Sequence, residues 1–165
     1  MKKFLFPYLL FPIVVLSQSP TIPAFPLEPN DLELSRRAQP GTPFDKVGRK
    51  FAILGFESGS FEAWAYPLKL VRNCELSFFI GSSTEPIRAR DIVRFISVTP
   101  EATTLTYTFQ SFTIKAIYVT PVKEPGAYIL LDVRTTVPLR IVCSFLAFLI
   151  AMWAAGFGGL WAWWV

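Results

Sequence analysis

The chain reads as all-β, an antiparallel β-sandwich, and three observations predict it. Short strand-forming runs follow one another from Phe51 to Phe145 with no amphipathic helical stretch between them. Several alternate with period two, most clearly Thr103–Phe109, where Leu105, Tyr107 and Phe109 share one face and Thr104, Thr106 and Thr108 the other. Glycine, proline and small polar residues punctuate the runs at short intervals, as antiparallel turns require. Strands this close together leave no room for the helical crossovers of a parallel sheet.

Taken in order, residues 1–19 open with Lys2 and Lys3, run apolar from Phe4 to Leu16, and close on Ser17-Gln18-Ser19. This is the pattern of a signal peptide cut after Ser17, and the 13 apolar residues fall short of the roughly 20 that a spanning helix needs. An uncleaved anchor is the alternative. Residues 20–43 form a proline-rich leader, since Pro20, Pro23, Pro26, Pro29, Pro40 and Pro43 remove backbone donors. Within it, Asn30–Arg37 suits two helical turns capped by Asn30 or Asp31.

Residues 44–145 are the sandwich domain. Phe51–Phe56 and Phe61–Tyr66 flank Glu57-Ser58-Gly59-Ser60 and predict a hairpin. Leu68–Val71 and Glu75–Ile80 read as separate strands, and the irregular spacing of Ile92 and Phe95 in Ile87–Val98 predicts a bulge or bend. Thr103–Phe109, Phe112–Thr120, Ala127–Arg134 and Leu139–Phe145 complete the series, with Pro121 and Glu124-Pro125-Gly126 forming a firm turn.

Residues 146–165 are an apolar Gly/Trp-rich tail, and no charged residue occurs from Ile141 to Val165. Hydropathy and length make 141–159 a transmembrane candidate. Gly156, Gly158 and Gly159 are poor helix formers, and Arg134 and Arg140 lie on the side that export would place outside, against the positive-inside rule. Both readings of this stretch stand open.

Composition excludes several chemistries. With no histidine, the chain has no Ser-His-Asp or Cys-His nucleophile system and lacks the commonest zinc ligand. Cys74 and Cys143 are too few for a cysteine metal site, and neither a metal nor a cofactor is implied. In an oxidising compartment the two thiols have the option of a bridge, although their apolar surroundings favour two separate buried thiols. The net charge of +4 comes from scattered basic residues, so a nucleic-acid partner is not expected. Gly156-Phe157-Gly158-Gly159 lacks the Lys-Ser/Thr of a phosphate-binding loop.

Glycoside hydrolysis requires two carboxyl groups facing each other across the scissile bond. Glu57, Glu62, Asp91, Glu101 and Asp132 are the candidates, and the pattern brings no specified pair together, so no catalytic residue is assigned. The alternation of the second hairpin arm puts Glu62, Trp64 and Tyr66 on one face. Rings that stack on pyranose faces beside a hydroxyl-accepting carboxylate suit saccharide contact. The competing reading makes Trp64 and Tyr66 buried sheet residues and Glu62 a rim charge.

The stretch Gly48–Pro67 resembles the opening hairpin of the N-terminal β-sandwich domain of bacterial glycogen-debranching-like proteins in the six-hairpin glycosidase superfamily. The resemblance continues through Val98–Tyr107, through Glu124-Pro125-Gly126 with Ile129–Val133, and through Met152–Gly159, in the same order. It implies an incomplete super-sandwich whose catalytic carboxylates belong to a following α/α toroid, and this chain stops at Val165 before a toroid begins. Around Met152–Trp164, where that family has polar residues and a proline, this chain is wholly apolar. Two functions are therefore expected. One is a non-catalytic, exported sandwich that supports a glycosidase catalytic domain or touches a polysaccharide weakly. The other is an extracytoplasmic β-domain anchored in a membrane and devoted to interaction.

Overall fold

In the computed structural model, which describes residues 32–151, the chain forms two antiparallel sheets. One sheet holds, in spatial order, β1 (Leu34–Arg37), β7 (Val93–Val98), β8 (Thr103–Phe109), β9 (Phe112–Val119) and β10 (Tyr128–Thr135). The other runs β11 (Leu139–Ala151), β5 (Leu68–Ile80), β4 (Phe61–Ala65), β3 (Phe51–Phe56) and β2 (Pro43–Val47). The short β6 (Ile87–Arg88) pairs with β5, and α1 (Ala89–Ile92) is one helical turn leading into β7. Within each sheet most neighbours in space are neighbours in sequence, because tight turns return the chain antiparallel.

The core lies between the sheets and follows the strand period. Along β8, Thr103, Leu105 and Tyr107 are buried, and along β9 so are Phe112, Ile114, Ala116 and Tyr118. They meet Phe44, Ile53, Phe61, Cys74, Leu76 and Phe78 from the opposite sheet. Rings dominate this contact, with Phe61 edge-on to Tyr118 at 5.5 Å and Phe78 5.7 Å from Tyr107. Such tilted and edge-on pairs place the positive ring edge against a negative face.

The 51–65 hairpin forms as its sequence predicts, with Gly59 at φ +93° in the turn. Other expectations need correction. Leu34–Arg37 is not helical but an edge strand on β7, in register from Leu34 opposite Val98 to Arg37 opposite Phe95. Pairing with a neighbour outweighed the weak helical preference of a four-residue run. The leader therefore contributes β1 and the start of β2 to the sandwich. Leu68–Ile80 is one strand, and the gap read at Asn73 is a local left-handed residue, φ +52°, where the register with β4 shifts. The bulge or bend expected in Ile87–Val98 is present: the β7–β8 register shifts between Val93 and Phe95, and the α1 turn just before it buries Ala89 and Ile92.

Over its described part the candidate span at 141–159 is strand rather than helix, matching the strand reading of this stretch. Ile141–Ala151 is strand, hydrogen-bonded to β5 from Leu139 opposite Ile80 to Ala151 opposite Leu68, with bulges after Ser144 and Ala147. A continuous apolar run suits a strand as well as a helix, and hydropathy does not separate them. Among the described residues no helix is long and apolar enough to cross a membrane. The signal segment, Pro20–Pro29 and the Gly156–Gly159 loop lie outside the described residues.

Candidate functional site

The two lateral sides of the sandwich differ among the described residues. On the side where β1 faces β2, polar contacts tie the sheets together. Glu57, in the β3–β4 turn, is 1% exposed. Its Oε2 accepts from Arg36 Nη1 at 2.9 Å and from the Gln39 backbone N–H at 2.7 Å, while Arg36 Nη2 donates to Oε1. The Glu57 N–H donates to the Thr42 carbonyl, Lys46 Nζ donates to the Pro100 carbonyl at 2.7 Å, and Thr103 Oγ1 donates to the Asp45 carbonyl at 3.3 Å. Burial lowers the Lys46 pKa from its ordinary value, against the opposing pull of Glu101 and Asp45.

Among the described residues, the side where β10 and β11 run has no comparable closure. The loop 136–138 joins the two strands, so they border the same side. Strand β10 pairs with β9 along its full length, and the register sets Ile129, Leu131 and Val133 opposite the buried Tyr118, Ala116 and Ile114. Directly opposed residues project from the same face of a sheet, so these three side chains face inward. Yet they are 38%, 38% and 39% exposed. Across the gap, Ile141 packs against the core while Cys143 is exposed. The result is an uncovered apolar row along the mouth of the sandwich.

The predicted saccharide residues are only partly brought together. Glu62 and Trp64 share the outer face of β4, and Tyr66, 67% exposed, sits in the β4–β5 turn at a cis Tyr66–Pro67 bond. Glu62 is already engaged: its Oε1 accepts from Trp64 Nε1 at 2.8 Å and its Oε2 from Lys69 Nζ at 2.6 Å. The Lys69 ammonium also lies 4.6 Å from the Trp64 ring centroid, so a cation occupies ring surface that a sugar would need. A groove of about 550 Å³ runs beside them, lined by Phe44, Asp45, Leu54, Phe56, Phe61 and Glu62 among others, with neither Trp64 nor Tyr66 in its wall.

The remaining carboxylates are dispersed. Asp91 and Asp132 are exposed and stand 4.0 Å from Arg90 and Arg134, and Glu101 lies in the exposed turn after Pro100. Glu57 departs most from expectation. Its turn position suggested solvation, whereas it is the best-buried charge in the described chain. The basic Arg36-Arg37 pair was the only hint, and it lay in a segment read as leader.

Cys74 and Cys143 are free thiols on adjacent strands. Cys143 is exposed rather than the buried thiol expected, while burial, reinforced by the neighbouring Cys143, pushes the Cys74 thiol up to about 11, and partial desolvation raises Cys143. Tyr107 and Tyr118 are buried phenols whose pKa values also rise through desolvation, and neither hydroxyl finds a well-formed hydrogen bond. Among the described residues no three His, Cys, Asp or Glu side chains cluster to hold a metal ion. No family model, curated protein or solved structure matches this chain.

Proposed function

We propose that this chain is a non-catalytic β-sandwich whose role is to dock against a partner domain, as the N-terminal portion of a glycoside-hydrolase-like protein. The observation that carries the reading is the uncovered inward row Ile129, Leu131 and Val133 on β10. Apolar side chains that face a core direction and remain over one-third exposed favour burial by a second surface. Covering the remaining exposed part of such a side chain stabilises by about 0.6–1.1 kcal/mol. The sequence resemblance supplies the partner: an α/α toroid bearing the catalytic carboxylates. Saccharide contact through Trp64, Tyr66 and Glu62 is the lesser role, since Lys69 already engages both Glu62 and Trp64.

The test is to read the coding sequence immediately downstream of Val165 and to co-express any α/α toroid found there with this chain. A stable complex that Leu131→Lys separates, with the strand-rich circular dichroism spectrum retained, is the expected result. An unrelated downstream sequence, or a complex indifferent to Leu131→Lys, refutes the reading.

A further inference from the structure

The outer face of the β11 sheet carries a second surface, separate from the inward row on β10. Register fixes which side chains share it. Leu76 and Phe78 are buried in the core and Val71 packs against it, so Arg72, Glu75, Ser77 and Phe79 point the other way. Arg140 stands opposite Phe79, Val142 opposite Ser77 and Leu146 opposite Arg72, which places all three on that outer face. Arg88 joins them from β6, opposite Ser77. Every charged residue of β4, β5, β6 and β11 is then accounted for: Lys69, Arg72, Arg88 and Arg140 against Glu62 and Glu75. Glu62 is bound to Lys69, which leaves three guanidinium groups facing one carboxylate.

Two of these arginines, Arg72 and Arg140, are held over rings rather than in the ion pairs of the described residues. The Arg140 guanidinium lies 4.4 Å from the Phe79 ring centroid, and that of Arg72 lies 4.4 Å from Phe148. Apolar side chains flank them on the same face: Val142 is 39% and Leu146 50% exposed. A soluble partner surface would need matching acids and matching apolar relief at this spacing. An anionic lipid leaflet supplies both chemistries over any area, with phosphates for the guanidiniums and an acyl boundary for the apolar side chains. Aromatic residues paired with cations are the usual occupants of that boundary.

We propose that the outer face of β5, β6 and β11 docks peripherally on an anionic lipid surface, with Arg72, Arg88 and Arg140 at the headgroups and Val142 and Leu146 at the acyl boundary. The surface is a sheet face and requires no spanning helix. It is also independent of the partner-domain docking proposed above.

The experiment is flotation of the full chain with neutral phosphatidylcholine vesicles and with vesicles in which about a third of the lipid is phosphatidylglycerol. The anionic vesicles should bind at least about tenfold more tightly, and added salt should weaken that binding. Each arginine removed should weaken binding by about fivefold, so Arg72→Gln/Arg88→Gln/Arg140→Gln should lose on the order of a hundredfold. Leu146→Glu should weaken binding with the circular dichroism spectrum unchanged. Equal binding to neutral and anionic vesicles would overturn the proposal, as would binding that the triple variant leaves intact, or no vesicle binding. Arginine-dependent binding to a single-stranded oligonucleotide without vesicle binding would overturn the lipid assignment too.

Discussion

Arg36→Met should destabilise the fold through a residue it leaves untouched. Glu57 stays in a site 1% exposed, and the substitution removes two of its three donors, leaving the Gln39 N–H. Stranding one partner of a buried ion pair costs about 3–5 kcal/mol where the whole pair is dry. The Arg36 side chain is 50% exposed, so water enters beside it and screens part of the loss. A cost of about 2–3 kcal/mol is expected, which for a chain of this length lowers Tm by about 4–12 °C. Urea unfolding followed by circular dichroism measures it. The informative comparison is Arg36→Met/Glu57→Leu, which leaves no orphaned charge and should recover most of the loss, to within about 1 kcal/mol of the parent. If Arg36→Met alone stays within about 0.5 kcal/mol of the parent, the clamp between β1 and the β3–β4 turn contributes nothing and the argument fails.

Three further outcomes follow from the same core. Gly59→Ala should destabilise by about 2–4 kcal/mol in the same unfolding assay, because φ +93° disfavours any side chain and the added methyl meets the buried Tyr107 ring; an unchanged midpoint would contradict this. Stability should be level up to about pH 9 as far as Cys74, Cys143, Tyr107 and Tyr118 are concerned. Their folded pKa values are raised, so above pH 9.0 the unfolded Cys74 loses its proton while the folded thiol keeps it up to about 11, and stability falls across that interval. Urea midpoints that rise over that range would reverse the sign. Finally, glycogen and maltooligosaccharides should release no reducing sugar above background, and any affinity should be no tighter than about millimolar. Turnover that Glu62→Gln abolishes would make Glu62 an active-site residue.

The sequence made the central strands readable because their alternation reports a face buried against a second sheet. Thr103–Phe109 is the clearest case, with Leu105 and Tyr107 fully buried and the three even-numbered threonines half-exposed. The failures have separate causes. Strand β1 has no alternation to read, since all four residues are exposed and only its pairing with β7 makes it a strand. In β11 the apolar run is unbroken, so its period carries no information. Asn73 looked like a break because asparagine tolerates a left-handed turn, and the chain uses it to bulge within one strand. The grouping of Glu62 with Trp64 was legible from their spacing, but the ion pair with Lys69 across the β4–β5 turn was not. Nor was the uncovered side: Ile129, Leu131 and Val133 alternate as a core strand should, yet all three are more than one-third exposed.

The proposed docking role is tested most directly by amide hydrogen exchange on this chain, alone and with a proposed α/α toroid partner. Alone, the amides of Tyr128–Thr135 that point to the open edge should exchange fast while those of β8 and β9 stay protected. In the complex, protection should appear across Tyr128–Thr135 and the Leu139–Phe145 half of β11, and nowhere on β1 or β2. New protection confined to the β1–β2 side, or a complex that leaves β10 exchanging as before, would contradict the account.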